Sequence, residues 1–309
     1  MADAAVAKPV AVGLVGAGPW AHLVHAPVLA AGPETRLVGV WARRAEAAAA
    51  LAGRHGSRAF DRYDQLLDAC EAVAFAVPPA VQAELATRAA EAGRALLLEK
   101  PLADNLADAR RLVAAVSATG VVSQLVLTWR YAPKVRAFLD EATRFNAVGG
   151  RGAFISGALL GGMFATPWRL EKGALLDLGP HVVDLLDAAL GPVTGVRAHG
   201  HPLAWTGLLL THEGGRVSEA SLCATSAVEP SVAGVELYGP AGALRVDGTA
   251  VSEEAFRVLR HEFAYAVRSG EGHPLDALHG LRLQQVLTDA AADLATDCSG
   301  RAGPRPAWG

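Results

Sequence analysis

Five short, mostly apolar stretches, at residues 10–15, 36–41, 72–77, 95–98 and 121–127, divide the front of the chain, and glycine, proline or a charged turn closes each of the first four. Runs of this length bounded by breakers read as buried strands. Between them lie segments of helical composition at 20–31, 45–52, 80–92 and 106–119, several ending on glycine. Strands joined through helices cannot form tight hairpins. They pair in parallel across crossovers, which gives an α/β domain with a doubly wound sheet.

That alternation stops near residue 122, and the expected division is residues 1–122 and 123–309. The second part reads as a helix at 131–143, a strand at 152–157 and a loop at 161–169. Short strands separated by Gly214-Gly215, Gly239-Pro240, Gly242 and Asp247-Gly248 follow, then helices at 252–268 and 279–296. The turn signals predict an α+β domain with an open, mainly antiparallel sheet. The segment 299–309, rich in Gly, Pro and Arg, reads as a surface tail.

With 309 residues, 51% hydrophobic and 19% charged, the chain can bury two cores. Its net charge of −3 argues against a nucleic-acid or anionic membrane surface as partner. Cys70, Cys223 and Cys298 are odd in number and widely spaced, which suits reduced thiols in a cytoplasmic protein and gives no metal-ligand pattern. The uncharged stretch 9–21 follows a segment without net positive charge and is glycine-rich, so it reads as a strand entering a turn rather than a leader. The uncharged stretch 152–168 is too short and too glycine-rich for a membrane span.

The first strand runs into Gly16-Ala17-Gly18-Pro19-Trp20-Ala21, a G-x-G-x-x-G/A pattern. Gly16 permits a tight turn, Gly18 lets backbone approach a pyrophosphate, and Ala21 allows close contact of helix and strand. The following helix then points its free N–H groups at the phosphates. An acidic residue that would hold a ribose 2′-hydroxyl is expected about 20 positions on. Ala42 stands there instead, followed by Arg43 and Arg44. Two arginines can fork to a 2′-phosphate, which points to NADP with NAD as the alternative; they also suit a solvated pair opening a helix.

Two further stretches carry chemistry. Leu96-Leu97-Leu98-Glu99-Lys100-Pro101 ends a buried strand on a turn, leaving Lys100 at the carboxyl edge where open α/β sheets bind ligands. It is either a working ammonium or a solvated strand-end charge. Asp177 and His181 stand four apart in a segment that closes at Gly191-Pro192, so a helix beginning near Leu176 sets them on one face with Pro180 in its first turn. A carboxylate beside histidine makes an acid/base pair; a helix-start aspartate and a core histidine give the same pattern.

In order, Gly16-x-Gly18 with Ala21, Glu99-Lys100-Pro101, Trp129-Arg130-Tyr131 and Asp177-x-Gly179-x-His181 resemble the glucose–fructose oxidoreductase, inositol dehydrogenase and rhizopine catabolism (Gfo/Idh/MocA) family. The resemblance spans nearly the whole chain. It implies an N-terminal Rossmann dinucleotide-binding domain and a C-terminal α+β domain whose open sheet joins subunits into a homo-oligomer. It implies hydride exchange between nicotinamide and a small-molecule substrate, a secondary alcohol or ketone of a sugar, cyclitol or related ring. Lys100 then contacts the reacting oxygen, His181 transfers the proton and Asp177 binds substrate or supports the site. The peptide before Pro101 is cis in such proteins. Residues expected against the cofactor are Gly16, Gly18, Pro19, Trp20, Ala21, Arg43, Arg44, Pro78, Glu99 and Lys100. Those expected against substrate are Arg130, Trp168, Arg169, Asp177 and His181. Arg169 can hold a substrate anion or serve as a structural ion-pair partner. Gln82 departs from the histidine that family members often carry after the Pro78-Pro79 turn, and Ala42 departs from the acidic residue of NAD users. Imine reduction is the rival reaction, and a non-catalytic NAD(P) sensor the rival class. A sensor needs only the glycine turn, so Lys100, Asp177 and His181 together favour an enzyme.

Overall fold

The structure, a computed structural model, describes residues 8–248 and 252–300, with side chains through residue 296. The tail read at 299–309 begins inside the helix Ala277–Gly300; the rest of it, from 301, and the Cys298 side chain lie outside the described residues. The chain divides into two compact units, Met1–Ala132 with Val251–Gln284, and Pro133–Ala250 with Gln285–Gly309. The segment 251–284, read from the sequence as part of the second domain, therefore packs with the first.

The first unit runs β1 (Val10–Val15), a π-helical turn (Ala21–His25), α1 (Ala26–Ala30), β2 (Thr35–Trp41), α2 (Ala45–Arg54), β3 (Arg58–Ala59), α3 (Tyr63–Ala69), β4 (Ala72–Phe75), α4 (Pro79–Glu91), β5 (Ala95–Leu98), α5 (Leu106–Thr119) and β6 (Ser123–Leu125). The strands lie in the order β3-β2-β1-β4-β5-β6, every pair parallel. β1 and β5 are buried at every residue, because helices cover both faces of a parallel sheet. The chain order reverses at β1, whose neighbours are β2 and β4, and the carboxyl ends of β1 and β4 frame the crevice where such sheets bind ligands. The helix expected at 20–31 is instead a π turn followed by α1. Pro27 has no N–H to return to Leu23, and Ala26 N–H reaches Ala21 O one residue further back.

The helix Glu253–Ser269 is held to this sheet by two arginines. Arg260, 6% exposed, donates to Glu34 at 2.8 Å and to the Val28 carbonyl at 3.0 Å. Arg268 forks to Glu71 at 2.7 and 3.1 Å and also donates to the carbonyls of Lys8 and Pro9. Arg268, with help from the Ala11 N–H, pulls the Glu71 carboxyl down from 4.5 to about 2, against the opposing effect of burial. A carboxyl depressed on folding adds stability above its unfolded value, and that stability is lost as pH falls toward the folded value. The thermal midpoint should therefore fall more steeply between about pH 4.5 and pH 2 in the wild type than in Arg268→Ala. The pair is partly exposed, so added salt should shrink the difference. Parallel curves would mean that the bridge contributes nothing.

The second unit comprises α6 (Pro133–Phe145), β7 (Gly149–Ile155), α7 (Pro167–Asp177), α8 (Gly179–Leu190), β8 (Val193–Gly200), β9 (Trp205–His212), β10 (Val217–Cys223), β11 (Val232–Gly239) and β12 (Gly242–Asp247). Its sheet has the order β12-β11-β7-β10-β9-β8 and is antiparallel except for β7 with β10. Apolar α8 covers one face, with Val182 seated over Gly152. The other face is less uniformly apolar than an open interface sheet suggests. Ile155, Trp205 and Val232 form an apolar end, Ala153, Gly207, Ser221 and Gly234 a row of small residues, and Arg151, Glu219, Glu236 and Arg245 a charged row. Arg151 and Arg245 both pair with Glu236. No described helix is long and apolar enough to cross a membrane.

Candidate active site

The candidate residues divide between the two units. In the first, a cleft of about 400 Å³ at the carboxyl ends of β1, β2 and β4 is lined by Gly16, Gly18, Trp41, Ala42, Arg43, Arg44, Pro78, Val81, Glu84 and neighbouring residues. Gly16 has φ +117°, and a Cβ there would lie 2.3 Å from the Ala76 carbonyl, so no other residue fits. Gly18 has no heavy atom within 4 Å of where its Cβ would be, which leaves its backbone open to a group laid along the turn. These are the features a pyrophosphate cradle requires. Arg43 and Arg44 are exposed on the cleft rim, and neither makes a salt bridge among the described residues. Arg44 starts α2, accepting the Ala48 N–H at its carbonyl. Glu84 of α4 lines the same cleft and is exposed.

Pro19 is exposed and Ala21 fully buried. Trp20 and Glu99 meet away from that cleft lining: the Trp20 indole Nε1–H donates to Glu99 Oε1 at 2.6 Å. His25 Nε2 lies 2.8 Å from the same oxygen. Glu99 is 9% exposed, so its carboxylate is already engaged by the protein rather than open to a ligand on all sides. Gln82, fully buried, closes the turn from below. Its Oε1 accepts the Glu99 N–H at 2.8 Å, and its Nε2 faces the carbonyls of Glu99, Leu102 and Pro101 at 2.7, 3.1 and 3.4 Å. The Lys100–Pro101 peptide is cis. Lys100 is half-buried, as is Arg130 in the short 3₁₀ turn Thr128–Tyr131.

In the second unit α7 begins at Pro167, so Trp168 and Arg169 lie on a helix rather than in the loop that the sequence suggests. Proline in the first turn costs no hydrogen bond. Gly173 breaks α7 with φ +69°, and a Cβ there would meet the Pro202 carbonyl at 2.0 Å. After this break the chain turns at Leu178, so Asp177 closes α7 and His181 sits in the first turn of α8. The helix is thus interrupted between the two residues expected on one face. Both are buried, at 5% and 7% exposure. Asp177 Oδ1 accepts from Arg169 Nε at 3.1 Å. The Arg169 guanidinium lies 4.8 Å from the Trp168 ring centre and 5.7 Å from that of Phe164. Arg169 therefore makes the ion pair that is one of the two roles open to it. The His181 ring lies against Phe154, centroids 6.2 Å apart.

Sequence reasoning missed His25 and Gln82 as parts of the Glu99 turn. His25 is 74 residues from Glu99, and only the π turn aims it there. Gln82 does carry a signal, its place one turn into the helix after a strand-ending Pro-Pro, but the residue type alone says nothing of the Glu99 turn. Among the described residues, no group of three or more His, Cys, Asp and Glu side chains could hold a metal ion.

Residues 10–126 match the GFO_IDH_MocA model, described as an oxidoreductase family with an NAD-binding Rossmann fold. A dTDP-3,4-didehydro-2,6-dideoxy-alpha-D-glucose 3-reductase of Streptomyces violaceoruber is 29% identical over 261 residues, 82% of this chain and 67% of that protein. The scyllo-inositol 2-dehydrogenase (NADP(+)) IolU of Bacillus subtilis is 28% identical over 250 residues, 74% of this chain and 72% of that protein. Among solved structures, GenD2 from gentamicin A biosynthesis, in complex with NAD, superposes with a TM-score of 0.85 at 24% identity, covering 97% of both chains, and so shares the fold.

Proposed function

We propose that this chain, which belongs to the Gfo/Idh/MocA oxidoreductase family, is a nicotinamide-dependent dehydrogenase or reductase acting on a secondary alcohol or ketone of a sugar, cyclitol or related small ring. The observation that carries this reading is the glycine cradle and Lys100 turn at one sheet edge, in a chain that also carries a buried Asp177 and His181. When bound, nicotinamide supplies or accepts the hydride. Gly16 and Gly18 seat the pyrophosphate, and the unpaired Arg43 and Arg44 favour NADP over NAD. Lys100 stabilises charge on the reacting oxygen with its ammonium. His181 exchanges the hydroxyl proton. Asp177 supports His181, and Arg169 holds Asp177.

The substrate class rests on relatives named for a nucleotide-linked deoxysugar and for an inositol. The test is nicotinamide absorbance on mixing the protein and either cofactor with a panel of sugars, nucleotide sugars, cyclitols and cyclic imines. Turnover of a ring alcohol or ketone is expected. Turnover confined to imines would replace carbonyl chemistry, and tight cofactor binding without any turnover would favour a sensor.

The same reading gives a cytoplasmic homo-oligomer joined through the open face of the second sheet. Its row of small residues beside exposed Trp205, Leu209 and Val232 suits close approach of another subunit. Light scattering should give a multiple of the subunit mass, falling in Trp205→Arg; a single-subunit mass for the wild type would contradict it.

A further inference from the structure

The turn that carries Lys100 is fixed from two directions by side chains that the hydride chemistry does not itself use. From below, the carboxamide of Gln82 accepts the N–H of Glu99 and reaches the carbonyls on both sides of Lys100. A single side chain thus holds the backbone at residues 99, 101 and 102. From the side, Glu99 Oε1 receives Trp20 Nε1–H at 2.6 Å and His25 Nε2 at 2.8 Å. Both contacts converge on one carboxyl oxygen, which the indole N–H reaches as a donor. Hydrogen bonds to an ionised group are the strong, geometrically exacting kind, and here they lie in a buried setting. Trp20 also belongs to the glycine turn. The turn that seats the pyrophosphate and the turn that presents Lys100 are therefore pinned to each other through one indole N–H.

We propose that Gln82 and Trp20 are positioning residues for Lys100: Gln82 fixes the backbone of its turn, and Trp20, through Glu99, fixes that turn against the cofactor-binding loop. The inference rests on the reading that Lys100 acts on the reacting oxygen. A group that must meet a developing charge loses effect when it is free to wander, even when it is chemically intact. Neither residue needs to touch substrate for its loss to be felt at Lys100.

The test uses Trp20→Phe, which keeps an aromatic ring but removes the donor together with the five-membered ring of an indole that packs edge-on to Phe256, and Gln82→Glu, which keeps the shape and removes the donors to the carbonyls. Lys100→Met is the reference. Each is measured for kcat, substrate KM, cofactor Kd and thermal midpoint. Each is also reductively methylated with carbon-13 and followed by NMR. The chain has only four lysines, Lys8, Lys100, Lys134 and Lys172, so the Lys100 signal is assigned by its loss in Lys100→Met. At saturating cofactor, Trp20→Phe should lower kcat by about ten- to a hundredfold, the range for losing one hydrogen bond to a charged group, whatever its effect on cofactor Kd. The Lys100 methyl signal should shift in both Trp20→Phe and Gln82→Glu while the other three lysines stay in place. If Gln82→Glu fails to fold, Trp20→Phe alone decides. Wild-type kcat and an unmoved Lys100 signal in Trp20→Phe, with Lys100→Met inactive, would overturn the proposal and leave the role of Lys100 standing. A loss explained wholly by weaker cofactor binding would overturn it too. Full activity in Lys100→Met would instead remove the reading on which it rests.

Discussion

His181→Ala and Lys100→Met should each lower kcat by at least about a hundredfold while cofactor affinity changes little. A positioned acid or base contributes about 10²–10⁴-fold, and a preorganised charge at a developing oxyanion is of similar size. His181 is 7% exposed and its ring is braced by Phe154, so its removal takes out the proposed proton carrier without loosening a surface loop. His181→Gln keeps polarity and bulk but cannot carry a proton, and it should be as slow as the alanine variant. Because both residues act after binding, the loss should appear in kcat and in kcat/KM together. A variant with unchanged kcat and raised KM would make its residue a substrate contact only.

Arg43→Ala should cut the ratio of kcat/KM for NADP to that for NAD by about ten- to a hundredfold. That corresponds to a hydrogen bond to a charged group worth roughly 1.5–3 kcal/mol. NADP carries a phosphate where NAD has a hydroxyl, and Ala42 removes the carboxylate that would repel it. Arg43 and Arg44 are on the cleft rim with no salt bridge among the described residues, which leaves their charge for a phosphate if NADP binds there. Arg43 can also lie across the adenine, which makes it the larger contributor. Glu84 lines the same cleft with the opposite sign, and its exposure to water limits what it takes away. A wild type that prefers NAD, or a ratio that does not move in the variant, would reduce the arginines to a solvated pair.

The parallel sheet was legible because each central strand is apolar along its whole length and ends on a breaker. β3, two residues long, and α3 have too short a pattern to stand out. The return of the helix Glu253–Ser269 to the first unit has no local signal at all. It depends on pairs such as Arg260 with Glu34 and Arg268 with Glu71, 226 and 197 residues apart, and on Gln124 reaching the Leu259 carbonyl across 135. Position in sequence says nothing about such contacts. At the candidate site, Gly16 and the Glu99-Lys100-Pro101 turn could be read because each has a backbone requirement that few residues meet. The Arg169–Asp177 pair has no signal in the sequence, since an arginine before a helix serves a ligand or a carboxylate equally well, and only the fold brings Asp177 to 3.1 Å. The π turn has no pattern of its own: the 20–31 segment reads as one helix, and only the missing N–H of Pro27 in its middle marks where the ladder shifts.

The most direct measurement follows the hydrogen itself. The protein is incubated with NADPH carrying deuterium at both C4 positions and with a mixture of keto-sugars and cyclitol ketones, and the products are examined by mass spectrometry. Hydride transfer predicts a ring alcohol one mass unit heavier than its unlabelled counterpart, with the label on the new carbinol carbon and a yield that collapses in His181→Ala. Oxidation of the cofactor with no label in any ring alcohol would contradict it, as would a labelled product that forms equally well without His181.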